Sequence, residues 1–246
     1  MKVFDSLAVG IPDVLLPSEG IDFRKWAVIA CDQYTSEPEY WQKVEALVGN
    51  SPSTLHLIYP EVYLNAPDKE VRIVRIQATM MDYLQKGIFK PFSGLIYVER
   101  ETAHGWRKGL LLCLDLDNYD YHPGASSLIR STEGTILERI PPRVKIREGA
   151  ALEVPHIMIL IDDGENLVIG PAADHKKELK KLYDFDLMFD SGHLRGFLVD
   201  RPEIEKMIMA GLFRLADQKE FQKRYNLPED TSLLLFAVGD GNHSLA

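Results

Sequence analysis

The chain has 246 residues, of which 46% are hydrophobic and 26% are charged, a composition typical of a globular protein with one large domain or two small ones. Its 28 Lys and Arg residues and 37 Asp and Glu residues give a formal net charge of −9, which argues against nucleic acids and anionic membranes as partners. No apolar run approaches ~18 residues and the N-terminal residues lack a signal-peptide pattern, so the expected compartment is the cytoplasm.

Apolar periodicity and end signals predict alternating strands and helices in the first half of the chain. In chain order, the predicted elements are a strand over 25–31, a helix between Pro38 and Gly49, an extended run over 53–58, a helix over 68–86, and a hairpin of strands 94–101 and 107–116. On the helix over 68–86, the apolar residues at helical spacing are expected to face the core: Val71, Val74, Ile76, Met80, Met81 and Leu84.

The second half continues this alternation. Its predicted elements are a helix over 135–148 interrupted by Pro141 and Pro142, a buried strand over 156–161, a helix over 171–182 with a lysine-rich face, a hairpin of strands 185–189 and 194–199, an amphipathic helix over 202–225, and a buried strand over 233–237.

Together the predicted elements indicate an α/β fold with α+β character, in which mixed sheets include hairpins. No predicted strand or helix runs through the segment 120–127. We therefore predict a soft boundary there, between an N-terminal region, residues 1–120, and a C-terminal region, residues 121–246. The alternative is that both regions form one domain.

The most informative segment is Asp240-Gly241-Asn242-His243-Ser244, which follows the predicted strand over 233–237. Open α/β sheets bind ligands at the carboxyl ends of their strands, and a helix N-terminus after a glycine turn suits a phosphate group. His243 and Ser244 add hydrogen-bond donors or a general acid or base. The alternative is an ordinary Asp-Gly hairpin turn. Because the chain stops soon after, we expect the natural protein to continue beyond Ala246.

A second candidate segment is Ile129 to Ile136, in which Arg130 and Glu133 stand beside hydroxyl side chains just before a predicted helix. Arginine suits bidentate recognition of phosphate, and further arginines follow at Arg139, Arg143 and Arg147. The alternative is a helix-capping arrangement followed by arginines on a solvated face.

The third candidate is the polar segment from Cys31 to Glu37, in which Asp32 or Glu37 is a candidate base or magnesium ligand. The alternative is a turn and an N-cap.

Cys31 and Cys113 are expected to be buried core thiols. Histidines without ligand spacing are interpreted as structural: His56, His104, His122, His156, His175 and His193.

Three stretches, 26–34, 129–135 and 238–245, together resemble a bacterial family known as domain of unknown function 1015, over essentially the whole chain. The family signature is Asp-Gly-His-His-Arg, and here Ser244 stands at the arginine position of that motif. The Asp-Gly-x-His core also resembles the nucleotide loop of the ParB/sulfiredoxin-like superfamily, which includes nucleases, CTPases, ATP-dependent sulfinic acid reductases and free-serine kinases.

The second resemblance implies ATP or ADP bound at the Gly241 loop, with magnesium and phosphoryl transfer. In this interpretation Gly241, Asn242, His243 and Ser244 hold phosphate, Asp240 holds magnesium or the substrate hydroxyl, Glu133 or Asp32 is the base, and Arg130 is a charge clamp. The expected function is a nucleotide-dependent phosphotransferase that acts on a small hydroxyl substrate such as serine. The rival is a non-catalytic nucleotide or metabolite sensor. The sequence leaves the oligomeric state open.

We predict that the protein does not bind DNA or RNA, because its net negative charge repels the phosphate backbone and no basic stripe interleaves with aromatic residues. A mobility-shift assay at low salt checks this. Micromolar binding that weakens as salt is added would contradict the prediction.

Overall fold

The computed structural model describes residues 2–246. Its strands, in chain order, are β1 (Val3–Phe4), β2 (Val9–Gly10), β3 (Asp13–Pro17), β4 (Phe89–Ser93), β5 (Ile96–Thr102), β6 (Gly105–Leu111), β7 (Cys113–Leu114), β8 (Tyr119–Asp120), β9 (Ile129–Ser131), β10 (Met158–Leu160), β11 (Lys180–Asp186), β12 (His193–Leu198) and β13 (Phe236–Asp240). Its helices are α1 (Phe23–Trp26), α2 (Pro38–Val48), α3 (Lys69–Gln85), α4 (Ile140–Arg147), α5 (Gly170–Asp174), α6 (Pro202–Leu215), α7 (Gln218–Tyr225) and α8 (Asn242–Leu245).

The strands form two larger and two smaller sheets. One larger sheet has the order β11-β12-β5-β6 and is antiparallel throughout; the other has the order β10-β13-β9-β8 and is mixed. The smaller sheets are β1-β2-β7 and β3-β4. The predicted α/β fold with mixed sheets and hairpins is therefore confirmed.

The mixed sheet determines which segments meet at the candidate site. β13 pairs in parallel with β9, with Val238 opposite Ser131, and antiparallel with β10, with Asp240 opposite Met158. The carboxyl ends of β9 and β13 therefore lie at one edge of the sheet, together with the residues that precede β10. We call this edge the carboxyl edge of the mixed sheet.

The main hydrophobic core joins both larger sheets to α6. It includes Tyr97 of β5, Ile129 of β9, Ile208 of α6 and Val238 of β13, each with at most 1% of its surface exposed. Residues on both sides of the segment 120–127 contribute to this core, while the boundary there stays a prediction. Two further clusters surround Trp26 and Trp41.

Elements with both end signals and apolar periodicity form as predicted. α2 begins at Pro38 and is followed by Gly49, which adopts a positive φ of 53°. The hairpin β5–β6 forms, with Ile96 opposite Leu111. The hairpin β11–β12 also forms, but its first strand spans Lys180–Asp186 rather than residues 185–189, and Met188–Asp190 is a 3-10 helix. Within residues 2–246, no helix is long and apolar enough to cross a membrane.

The predicted strand over 25–31 is wrong. Asp22 caps α1 by accepting a hydrogen bond from the Arg24 amide, and irregular chain follows Trp26. The Trp26 carbonyl accepts from the hydroxyl groups of Ser53 and Thr54, which takes the place of a strand partner. The predicted extended run over 53–58 is also wrong, because Ser53 caps a 3-10 helix there.

The predicted helix over 171–182 is wrong beyond α5, because Lys180 and Lys181 belong to β11 and pair with β12. Cross-strand pairing here overrides the local helical pattern. Lys176, which was predicted on the lysine-rich face of that helix, donates to the buried Glu99 carboxylate at 2.7 and 3.0 Å. Together with the Tyr97 hydroxyl group, Lys176 holds the pKa of Glu99 below its ordinary value despite burial.

Two predicted helices have different bounds. Pro141 and Pro142 lie in the first turn of α4, where the missing amide protons cost nothing, and so begin the helix rather than interrupt it. The helix over 202–225 is two helices, because the Asp217 side chain accepts from the amides of Lys219 and Glu220 and starts α7.

The predicted buried faces are partly wrong. α3 buries Ile73, Ile76, Met80 and Tyr83, whereas Val71, Val74, Met81 and Leu84 are exposed. The predicted buried strand over 156–161 shortens to the edge strand β10, in which Met158 and Leu160 are exposed. The final strand begins at Phe236 rather than Leu233 and runs through Asp240.

We predict that Gly211→Ala destabilises the protein. Gly211 is buried in α6, where an added Cβ would overlap the Leu167 carbonyl oxygen, which belongs to the backbone and cannot swing away. Overpacking of this kind costs about 1–3 kcal/mol, so the melting temperature falls clearly. The control is Gly109→Ala in β6, where the added Cβ meets nothing within 4 Å. Equal melting temperatures for the two variants would contradict the packing described here.

Candidate functional site

The three candidate segments meet at the carboxyl edge of the mixed sheet. Residues 240–244 lie at the end of β13, and the neighbouring residues 132–136 follow β9. The Thr132 amide and hydroxyl groups both donate to the Val238 carbonyl oxygen, at 3.1 and 2.8 Å. The third segment, 31–37, reaches the same edge through Gln33, as described next.

Gln33 joins two of the predicted site carboxylates. Its Nε2 donates to Asp32 Oδ1 at 3.2 Å and to Asp240 Oδ2 at 3.4 Å. The Gln33 carbonyl oxygen accepts from Trp41 Nε1 of α2 at 3.3 Å, which anchors the loop to the third core cluster. Two carboxylates from distant parts of the chain are thus held around one amide group. Within residues 2–246, no group of three or more His, Cys, Asp or Glu side chains has the arrangement of a metal site.

Gly241 makes the turn from β13 into α8. Its φ is 80°, and an added Cβ would lie 2.7 Å from Ile157 Cδ1, so both the conformation and the space favour glycine. The Gly241 amide donates to Asp240 Oδ1 of the preceding residue at 2.9 Å. The alternative of an Asp-Gly hairpin turn is wrong, because a helix and not a strand follows.

Asn242 and His243 are buried, with 3% and 9% of their surfaces exposed. Asn242 Nδ2 donates to Thr135 Oγ1 at 3.2 Å, and the Asn242 carbonyl oxygen accepts from the Tyr119 hydroxyl group at 3.3 Å. His243 Nε2 accepts from the Ile136 amide at 3.0 Å. Both side chains therefore attach the start of α8 to the segment that follows β9.

The environment of His243 favours the neutral imidazole. Burial lowers its pKa first, the positive charges of Arg143 and Arg139 lower it further, and Glu133 opposes them. Because Nε2 accepts a hydrogen bond from a backbone amide, the single ring proton lies on Nδ1. Protonation of Nε2 would break this contact.

Ser244 lies between a cation and an imidazole. Its Oγ accepts from Arg143 Nε at 3.2 Å and is 3.0 Å from His156 Nε2. Arg143 also forms an ion pair with Glu61, and only 12% of the arginine side chain is exposed. Arg143 is therefore not on a solvated face, which was the alternative for the arginines after Glu133.

Arg130 and Glu133 lie apart from this cluster of hydrogen bonds. Arg130 donates to the carbonyl oxygens of Ala125 at 2.9 Å and Ser232 at 3.2 Å. Both carbonyls precede the parallel strands, so the guanidinium faces the end of the sheet opposite to its carboxyl edge. Glu133 is exposed, and it is close enough to His243 to raise the pKa of that imidazole.

Cys31 is protonated at neutral pH. Burial raises the pKa of its thiol to about 12, Asp32 and Glu61 raise it further, and Arg143 acts in the opposite direction. The Cys31 carbonyl oxygen accepts from the Glu61 amide at 2.8 Å, which holds Glu61 beside the loop. Cys31 and Cys113 are both half-buried rather than fully buried in the core.

Three residues that contact the candidate site residues were not predicted from the sequence: Gln33, Glu61 and His156. Gln33 lies within the third candidate segment, but it carries no charge that would single it out. Glu61 lies in a 3-10 helix, and no motif surrounds it. His156 was interpreted as structural because it shows no ligand spacing, and it was the first residue of the strand predicted over 156–161. The pairing of β10 with β13 brings it to Ser244.

We predict that His243 makes folding stability fall at low pH. Its pKa is lowered in the folded protein, so the unfolded chain binds the proton first. The contribution is fully present above the unfolded value of about 6.5 and is lost as the pH falls through the folded value. Denaturant unfolding between pH 5 and pH 8 measures it. His243→Gln is expected to flatten this dependence, and an unchanged pH profile would contradict the assignment.

Comparison with known families and proteins bears on the chain as a whole. The family described as "Protein of unknown function (DUF1015)" matches residues 15–246. Searches of curated proteins and of solved structures each gave no match. Because the family match covers most of the chain and all three candidate segments, the protein belongs to the DUF1015 family.

Proposed function

We propose that this protein is a nucleotide-dependent phosphotransferase acting on a small hydroxyl substrate, with serine as the first candidate. The observation that carries the proposal is the pair of carboxylates, Asp32 and Asp240, held by Gln33 at the carboxyl edge of the mixed sheet. Magnesium in phosphoryl-transfer sites is usually held by one or two carboxylates, with phosphate and water oxygens completing its shell. Two carboxylates therefore fit a magnesium–nucleotide complex.

The proposed phosphate-binding groups come from α4 and from the turn after β13. Arg143 lies beside Ser244 and presents a guanidinium that suits phosphate oxygens. It replaces Arg130 as the proposed charge clamp, because Arg130 bonds to carbonyls at the other end of the sheet. Gly241 allows a phosphate to approach the backbone closely, since it has no side chain.

The proposed base is Asp32 or Asp240, whichever carboxylate faces the substrate hydroxyl group. Glu133 stays a candidate, because it is exposed beside His243. The likeness of the Asp240-Gly241-Asn242-His243 core to the ParB/sulfiredoxin-like loop supports ATP or ADP as the nucleotide and a free-serine-kinase-like reaction. In this proposal neither nucleic acid nor membrane is a partner. We keep the cytoplasm as the expected compartment, since both cysteines are free thiols.

The second candidate is a sensor that binds a nucleotide or metabolite without reaction. It is favoured by one observation: Asn242 and His243 are both buried and hydrogen-bonded within the protein. Side chains engaged in this way couple the turn to the segment after β9, as a sensor requires. Incubation with labelled ATP or ADP and a pool of amino acids separates the two candidates, because only an enzyme turns the label over.

We predict that Asp240→Asn and Asp32→Asn each lower turnover by ~100-fold or more, the scale for losing a positioned acid–base or electrostatic group. Both variants should keep the melting temperature of the ligand-free protein and lose its rise with magnesium and nucleotide. The assay uses the full-length protein with magnesium, ATP or ADP, and serine.

The matched control is Asp200→Asn, which changes an exposed carboxylate just after β12 and should behave as the wild type. The sensor would be favoured if nucleotide stabilised the wild type but no amino acid tried gave turnover. Wild-type behaviour of Asp240→Asn in both assays would reject the carboxylate site.

A further inference from the structure

Ser244 lies in an arrangement that a structural serine does not need. A helical serine commonly satisfies its hydroxyl group with a carbonyl of the preceding turn. Here both partners come from other elements, His156 from the chain before β10 and Arg143 from α4. Three separate parts of the fold therefore converge on one oxygen atom.

The direction of one hydrogen bond in this group is fixed by chemistry, and the direction of the other follows the imidazole tautomer. Arg143 Nε can only donate, so Ser244 Oγ accepts from it at 3.2 Å. The serine hydroxyl proton is then available to His156 Nε2, 3.0 Å away, when that nitrogen is unprotonated. The imidazole is within the 2.6–3.2 Å reach expected of a general base, and the guanidinium is placed to stabilise a developing alkoxide.

The surroundings hold this arrangement while leaving it accessible. The Arg143 side chain is anchored by its ion pair with Glu61 and donates to the Arg139 carbonyl oxygen at 2.6 Å. Ser244 and His156 are both half-buried rather than enclosed. Asp240 ends β13 and Ser244 lies in α8, so only the Gly241 turn and the start of α8 separate the serine from the proposed magnesium ligand in sequence.

We infer that Ser244 is a nucleophile that accepts a phosphoryl group covalently, with His156 as its general base. This inference rests on the proposed phosphotransferase function and deepens it. Ser244 Oγ attacks the terminal phosphorus of the nucleotide, and its proton passes to His156 Nε2. The bond from that phosphorus to the bridging oxygen breaks, and the nucleotide leaves one phosphate shorter.

The second half of the reaction returns the enzyme to its starting state. The substrate hydroxyl oxygen attacks the phosphorus of phosphoserine and gives its proton to the Asp32 or Asp240 carboxylate. The bond between that phosphorus and Ser244 Oγ breaks, and His156 returns the proton to Oγ. The carboxylate releases its proton to water, so atoms and charges balance over the two steps.

A fluorophosphonate tests the nucleophile without any nucleotide. Attack by an activated serine forms an oxygen–phosphorus bond and expels fluoride, which leaves a stable adduct. The full-length protein should gain one adduct by intact mass, and peptide mapping should place it on Ser244 and not on the exposed Ser126. Ser244→Ala should abolish labelling, and His156→Asn should slow it by ~100-fold or more.

Controls separate activation from folding. His104→Asn changes an exposed histidine between β5 and β6 and should label as the wild type does. His156→Gln should slow labelling as His156→Asn does, because neither side-chain amide can take up the serine hydroxyl proton. If His156→Asn does not fold by circular dichroism, the labelling rate of His156→Gln decides instead.

Labelling of Ser244 no faster than of Ser126, or equal rates with and without His156, would overturn the inference. The magnesium–nucleotide thermal shift of Ser244→Ala distinguishes this failure from failure of the proposed function. A shift that persists while the wild type shows no labelling rejects the nucleophile and retains nucleotide binding. Labelled Ser244 without any nucleotide shift in the wild type supports the nucleophile and rejects nucleotide as the phosphoryl donor.

Discussion

The parallel pairing of β13 with β9 is the interaction on which the candidate site depends. It aligns the carboxyl ends of two strands that are distant in the sequence, and the antiparallel β10 adds the chain before Met158 to the same edge. The pairing lies over the main core, where Ile129 and Val238 are completely buried. A slip of one residue would turn these side chains away from the core, so burial enforces the register.

Charge at the carboxyl edge is balanced within the protein. Glu61 neutralises the mostly buried Arg143, and Gln33 supplies a donor to two carboxylates that would otherwise repel each other. Burial, together with the positive charges of Arg143 and Arg139, lowers the pKa of His243, and the neutral imidazole keeps its hydrogen bond from the Ile136 amide. The site therefore combines fixed charges with a neutral imidazole. Each of these interactions stabilises the others, as in other buried polar networks.

Local signals predicted the fold to different degrees. α2 and the hairpin β5–β6 formed as expected, because end residues such as Pro38 and Gly49 of α2 act on the backbone nearby. The prediction of a helix over 171–182 was wrong at its end, because pairing of Lys180 with Leu198 in the sheet outweighs the local helix propensity. On α3, both apolar stripes have helical spacing, and only tertiary packing decided that Ile73, not Val74, is buried.

The sequence by itself determined which segments carry polar chemistry, and two of its predicted carboxylates, Asp32 and Asp240, share the amide of Gln33. Tertiary structure alone decided that Arg143 rather than Arg130 reaches Ser244, and that His156 is its partner. The physical reason is the separation along the chain over which each interaction acts. Turns, caps and periodicity depend on neighbours along the chain, whereas these side-chain contacts depend on strand register between residues far apart in sequence, to which no short pattern responds.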